Sequence, residues 1–402
     1  MQKAEKISDG QIRDYRLWAH HLDAKRPMSA LKAAAGACGV QNSPPGAWES
    51  AMFNRLEGCT LRALNDALYV DKTLLQAWSF RGAPAVFPTE DSDAFLASLS
   101  ARPGEEPWIY TRGIGLALDY LGMSFDEALS AVRAAARYLN AHTVKSKEAL
   151  DETLARIVAQ DLPPQKRALW SAPSMYGRPD RQSVGGAAVS FLLRPCAFSG
   201  LVVFGERQGV SPTFTSFENW TGRPFEIRPD CGRTLVKKFL HCYGPARPSA
   251  LSEWLGCSPA QAGRLWSAVQ EEIQPVSVDE KIFYMLSEDM DRLRAGAGDQ
   301  RAQAPVLLGA HDPYLDARDR RILLGDAGLH KLVWKTVANP GVVLLEGRVA
   351  GVWKSASSGA WMKFSVTLFE TLNGAQRRAL GEGAEAYARF RGAGVKSLDM
   401  EG

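Results

Sequence analysis

The six cysteines of this 402-residue chain, Cys38, Cys59, Cys196, Cys231, Cys242 and Cys257, form no Cys-x-x-Cys pair and no knuckle spacing. Spacing alone therefore offers no zinc ligand set, and buried free thiols are expected, with no metal and no cofactor. No apolar run reaches the roughly 20 residues that a membrane-spanning helix needs. The opening stretch, 1–10, is polar and lacks the apolar core of a secretory signal, so a cytoplasmic, reduced protein is expected. The glycine-containing segments Ser183-Val184-Gly185-Gly186 and Gly113-Ile114-Gly115 carry no phosphate-loop lysine and read as turns, which disfavours nucleotide hydrolysis. The six histidines show no spacing that establishes a catalytic triad. Net charge is also scarce, at only +4.

That small charge is unevenly placed. Residues 161–250 carry 12 Lys/Arg against 6 Asp/Glu, a local +6 that leaves −2 for the rest. A positive field concentrated mid-chain suits a phosphate-binding surface, although a solvated basic face would look the same. At 46% apolar content the chain can fill two or three cores, so several domains are expected.

The most ordered signal lies between 230 and 287. Leu235, Val236, Phe239, Leu240 and Tyr243 recur at helical spacing and Gly244-Pro245 stops the run. Ser249 opens a short second helix that ends at Gly256. Ser258-Pro259-Ala260-Gln261 supplies a cap, a first-turn proline and a Gln three residues on, which predicts a third helix to about Glu272. Two apolar runs, 273–278 and 281–286, flank Asp279-Glu280 as a hairpin would. Three helices and a hairpin make a winged helix, with 258–270 in the recognition position.

The same order recurs less cleanly upstream. Helical periodicity over 11–22, 29–37, 45–56 and 61–69, then ribbon strands 74–80 and 83–87, gives a first winged helix. A capping box at Ser124-Phe125-Asp126-Glu127, helices at 146–159 and 163–170, and a wing of 201–204 and 213–217 with its tip at 205–212, give a second. Arg207 sits on that tip. After a polar link at 294–304 the period changes to 2, as in Met362, Phe364, Val366 and Leu368, which predicts a C-terminal sheet or small barrel, a helix over 375–391 and a frayed tail. The fold class is thus α+β: tandem winged-helix modules over 1–95, 96–225 and 226–295, then a β-barrel-like domain over 305–402.

Five stretches together carry a family resemblance: Cys38-Gly39-Val40-Gln41, Ala77-Trp78-Ser79-Phe80-Arg81-Gly82, Tyr243-Gly244-Pro245-Ala246, Asp312-Pro313-Tyr314 with Arg320, and 345–353, Leu-Glu-Gly-Arg-Val-Ala-Gly-Val-Trp. Through them the chain resembles the winged-helix DNA glycosylases of the AlkZ and YcaQ type, associated with excision of bulky alkylated bases and unhooking of interstrand crosslinks. The resemblance implies a curved body of tandem winged helices and a β-barrel around a DNA channel, acting on alkylated or crosslinked duplex DNA as a monofunctional, nucleoid-associated, monomeric glycosylase. It places the family's catalytic motif, Gln, an apolar residue, then Gln or Asp, on Gln41, Asn42 and Ser43. Gln41 matches; Asn42 is polar and Ser43 replaces the second amide or carboxylate. His311 also stands where the family usually has an aromatic or apolar residue.

Cleaving an N-glycosidic bond builds positive charge on the sugar, so the site must aim a water and supply negative or dipolar stabilisation. Gln41 and Ser43 are the catalytic candidates, with a slower or substrate-restricted activity expected unless another Asp or Glu completes the site. Gln41 could instead brace helices near Ser43-Pro44-Pro45. Asn42, Arg81, Arg207, Lys237, Lys238 and Arg264 are the candidate DNA contacts. Asp312, Asp316 and Asp319 could hold a nuclease metal, but the interleaved Arg318, Arg320 and Arg321 favour ion pairing. Two alternatives remain open: a non-catalytic winged-helix protein that recognises damaged or distorted DNA, and a transcription regulator.

Overall fold

A computed structural model describes residues 4–105, 109–177, 179–209, 211–296 and 304–402 of a mixed α+β chain. It divides into two compact units: Met1–Ala67 with Val236–Trp254 and Val269–Gly402, and Leu68–Leu235 with Leu255–Ala268. Most of the 294–304 link, and Val210 of the second wing, lie outside the described residues.

In the first unit, Ser8 and Gln11 form a capping box that starts the helix Asp9–Ala19. Its Ile12 and Tyr15 bury against Val276, Val278 and Met285 of the hairpin Ile273–Val278/Lys281–Leu286. Asp279 and Glu280 both take left-handed φ, 48° and 61°, as a two-residue type I′ turn requires. Strand Glu5–Lys6 adds parallel to this hairpin. Helices Leu31–Gly36, Ala47–Arg55 and Leu61–Asn65 occupy the expected positions, the last continuing as a π turn, Asp66–Val70.

The C-terminal strands correct the barrel expectation. Val306–Leu308, Gly341–Leu345, Arg348–Ser358, Trp361–Leu368 and Gly394–Glu401 form an open sheet in that order, with the first and last at opposite edges. The helix Gly374–Phe390 sends Leu380, Ala384, Tyr387 and Ala388 onto Val343, Trp353, Phe364 and Val366, filling the face that a barrel would turn inward. The tail expected to fray is the fifth strand, parallel to Trp361–Leu368 in register from Trp361↔Gly394 to Thr367↔Glu401. Its side chains are only partly buried, so its alternation is weak in the sequence.

The second unit packs around the helix Val184–Phe198, fifteen residues with twelve buried. The Ser183-Val184-Gly185-Gly186 segment is not a turn: Ser183 accepts the Gly186 amide as its N-cap, and Gly185 lets the helix lie directly on the Trp170 indole. Gly115 likewise begins the helix Gly115–Leu121. The Ser124–Glu127 box starts Phe125–Ala136, and helices Lys147–Asp161 and Pro164–Trp170 follow near the expected positions. Pro259–Ser267 stops five residues short of Glu272, because its last turn tightens to an Ala268 N–H to Leu265 C=O bond. Strands Val203–Gln208 and Ser211–Thr215 lengthen the second wing.

Inside this unit Lys147 Nζ donates to Asp151 Oδ2 at 2.8 Å, yet burial pushes the Asp151 carboxyl up to about 6. As pH rises from about 4, the unfolded chain ionises first and folding is disfavoured; above pH 6 both states are ionised and the penalty is constant. Asp151→Asn should therefore gain about 2 kcal/mol on the wild type between pH 4 and pH 7. Paired denaturation curves across that range measure it; a pH-independent difference would mean that the carboxyl titrates normally.

Candidate functional site

Gln41 ends the short strand Val40–Gln41, which follows the left-handed Gly39 (φ 72°) and the buried Cys38. Its Nε2 donates to the Ser43 carbonyl at 3.1 Å, which fixes the carboxamide across its own loop. Gln41 and Ser43 are half-buried. Asn42, expected at the DNA, is only 4% exposed, and its Oδ1 accepts the Gly46 amide at 2.8 Å. Gly46 has φ 91° and begins the helix Ala47–Arg55, so Asn42 holds the loop to the helix start.

That helix is fastened along its length. Ser50 Oγ and Tyr387 Oη lie 3.0 Å apart, and Asn54 Nδ2 donates to the Leu307 carbonyl at 2.9 Å. Arg55 makes a two-pronged pair with Asp312, 2.8 Å on each prong, with side chains 2% and 1% exposed. Burial by itself lowers the Arg55 pKa, but the Asp312 carboxylate more than offsets this, so the Arg55 guanidinium is held above its usual range. Glu49 pairs with Arg391. Asp312 and Asp319 are ion-paired, but with partners far away in sequence, Arg55 and Arg16, rather than with the interleaved Arg318, Arg320 and Arg321. Asp312 Oδ1 also accepts the Tyr314 amide, and the Tyr314 hydroxyl donates to the Gly347 carbonyl at the Glu346-Gly347 turn. His311 is a left-handed turn residue, φ 60°.

The Tyr243-Gly244 stretch ends a helix whose last carbonyls are met by the Asp9–Ala19 segment. Arg16 donates Nη2 to Tyr243 O at 2.7 Å and Nε to Gly244 O at 3.1 Å, and His20 Nε2 lies 3.1 Å from Cys242 O. A cation at a helix C-terminus also complements the helix dipole. Lys238 Nζ donates to Gly36 O at 2.7 Å, two residues before Cys38. The ligand atoms of His20, Cys38 and Cys242 all lie within 4.8 Å of one another and all three residues are buried, a donor set invisible to sequence spacing. Hydrogen bonds from Cys242, His20 and Tyr243 hold the Cys38 thiol well below its usual range.

The first unit thus holds Gln41, Asn42, Ser43, Lys237 and Lys238, and the second holds Arg81, Arg207 and Arg264. Lys237 pairs with Glu272 and Glu288 at 3.1 and 3.0 Å, and Arg264 pairs with Glu105 at 2.6 Å, so either would exchange a carboxylate for a phosphate. Arg81 lies between strands Leu74–Trp78 and Pro84–Pro88 at φ 54°, its guanidinium 5.2 Å from the Phe80 ring. Trp78 beside it stacks on Phe214 at 5.2 Å. Arg207 is not on the wing tip; pairing from Gln208 to Ser211 carries the strand past it. A cavity of about 430 Å³ in the second unit, lined by residues including Arg102, Thr111, Asp126 and Arg133, contains none of the Gln41 loop. Trp361, 54% exposed where strands Arg348–Ser358 and Trp361–Leu368 meet, was missed because its Ser/Ala/Gly-rich approach has no apolar alternation; Lys354 and Lys363 are exposed on the same hairpin. Among the described residues no helix is long and apolar enough to cross a membrane.

A family model described as "DNA glycosylase AlkZ-like" matches residues 34–390. An interstrand DNA cross-link repair glycosylase of Streptomyces sahachiroi is 25% identical over 366 residues, 87% of this chain and 88% of the relative. The solved structure of the Streptomyces sahachiroi DNA glycosylase AlkZ superposes with a TM-score of 0.76 at 21% identity, covering 98% of this chain and 99% of that one.

Proposed function

The chain belongs to the AlkZ-like DNA glycosylase family and is a DNA repair glycosylase by that membership, and from this premise we propose that it hydrolyses the N-glycosidic bond of alkylated or crosslinked bases in duplex DNA. The observation that carries the reading is the Gln41 loop. A half-buried carboxamide is fixed to its own backbone through Nε2, in a loop that leads into a helix anchored by a buried ion pair. With the nitrogen donating to Ser43 O, Gln41 acts through its oxygen, as an acceptor that aims the attacking water. Ser43 contributes a hydroxyl where a longer amide or carboxylate would reach further. Cationic lesions such as N7-alkylpurines fit this lean site, because their leaving group is already activated.

In this reading one monomer binds one duplex, with Arg81, Arg207, Lys237 and Arg264 meeting phosphates, whereas Lys238 stays bound to the Gly36 carbonyl. Trp361, an exposed aromatic near two lysines, suits contact with a base step. Asn42 serves the loop rather than the DNA surface. Binding should show little sequence preference and should weaken steeply as salt rises, since each neutralised phosphate releases counterions. Titrating unrelated duplexes at several salt concentrations tests this, and strong preference for one palindrome would point to a regulator.

Two observations favour a binding-only reading: the Gln41 amide already serves the loop, and Ser43 stands where the family pattern has a second amide or carboxylate. Single-turnover formation of alkali-labile sites on N7-alkylated duplex decides between them. Ser43→Asp or Ser43→Gln, which restores the family pattern, should hold or raise the rate, whereas no release by any form supports the binding-only reading.

A further inference from the structure

We infer that His20, Cys38 and Cys242 hold a structural zinc ion, with the Tyr243 hydroxyl at the fourth position, and that this ion ties the Gln41 segment to two helices. The three donors come from separate places: the end of Asp9–Ala19, the residue three before Gln41, and the last turn of Cys231–Tyr243. Their ligand atoms lie within 4.8 Å of one another. Tetrahedral zinc with bonds of about 2.0–2.3 Å sets its ligands about 3.5–3.8 Å apart, so modest side-chain rotation closes the site. The Tyr243 hydroxyl already stands 3.5 Å from Cys38 Sγ, about the distance of a fourth oxygen ligand from a bound thiolate.

Charge supports zinc. Two thiolates neutralise Zn²⁺, so the complex adds no net charge to a fully buried site, and the two thiol protons leave to solvent on binding. The mixed sulfur and imidazole donor set is one that zinc accepts, whereas hard, oxygen-seeking cations do not. Around the site, Lys238 anchors Gly36 and Arg16 anchors Tyr243 and Gly244, so the donors are presented by backbone already held in place. The role is structural, because all three donors are buried.

The test uses the full-length protein, stripped of metal under reducing conditions and reconstituted with Zn²⁺ or Co²⁺. One zinc per chain should survive gel filtration, and one Co²⁺ should give thiolate charge-transfer absorption with the strong visible bands of a tetrahedral centre. Thermal unfolding should move upward with zinc. Cys38→Ser and Cys242→Ser should weaken zinc binding at least about 100-fold, while Cys59→Ser binds as the wild type does. The wild-type cobalt spectrum stands even if a variant misfolds. Absence of charge-transfer absorption, zinc retained unchanged by both variants, or a Cys38–Cys242 disulfide in protein purified under reducing conditions would each overturn the assignment.

Discussion

Replacing Gln41 with alanine is expected to lower single-turnover release of an N7-alkylpurine by about 10²- to 10³-fold while leaving duplex affinity nearly unchanged. The size follows from removing one positioned polar group that acts on the transition state, worth about 2.7–4 kcal/mol by analogy with an oxyanion-hole donor. Affinity should be spared because phosphate contacts, which dominate duplex binding, are proposed for other side chains. The substitution also deletes the bond to Ser43 O, so thermal unfolding must be followed in parallel. Equal release by wild type and variant would remove Gln41 from catalysis and leave it as a loop brace.

Breaking the Arg55–Asp312 pair should have the largest effect on stability. Both side chains are essentially inaccessible, and Asp312→Ala would leave a buried guanidinium without its counter-charge, at about 3–5 kcal/mol. The double substitution Arg55→Met, Asp312→Ala should recover much of that loss, because it removes the orphaned charge as well. Denaturant unfolding of the two single variants and the double variant closes the cycle; single-variant losses below about 1 kcal/mol would show the pair to be solvated. Residual glycosylase activity should fall with stability in the single variants, since this pair seats the helix that follows the Gln41 loop.

Much of the local structure was written in nearest-neighbour chemistry. The Ser124–Glu127 capping box, the Ser258-Pro259 helix start, the Asp279-Glu280 hairpin and the alternation from Met362 to Leu368 each have causes within a few residues, and each appears where the sequence put it. The family, too, was legible, in short stretches whose residues meet local backbone needs here: Gly347 and Gly39 sit at left-handed φ, and Asp312 caps the turn at Tyr314. Gln41 could be singled out, but its geometry could not.

Other features depended on residues far apart in the chain. The helix Val184–Phe198 was hidden because burial on nearly every side erases the apolar stripe, and its two early glycines, which read as a turn, leave room for Trp170 at Gly185 and for the Glu152 carboxylate at Gly186. The last strand was hidden because a parallel partner 33 positions upstream, Trp361 for Gly394, supplies its hydrogen bonds. Asn42 looked available to DNA until the start of the next helix claimed it. His20, Cys38 and Cys242 have no meaningful spacing, and only folding brings them together. The sequence determined the elements with local periodicity and caps, the α+β class and the identity of the candidate catalytic glutamine. Tertiary structure decided the open sheet, the partners of each buried charge and the convergence of the distant donors, because burial and pairing depend on distances through space that the order of residues does not encode.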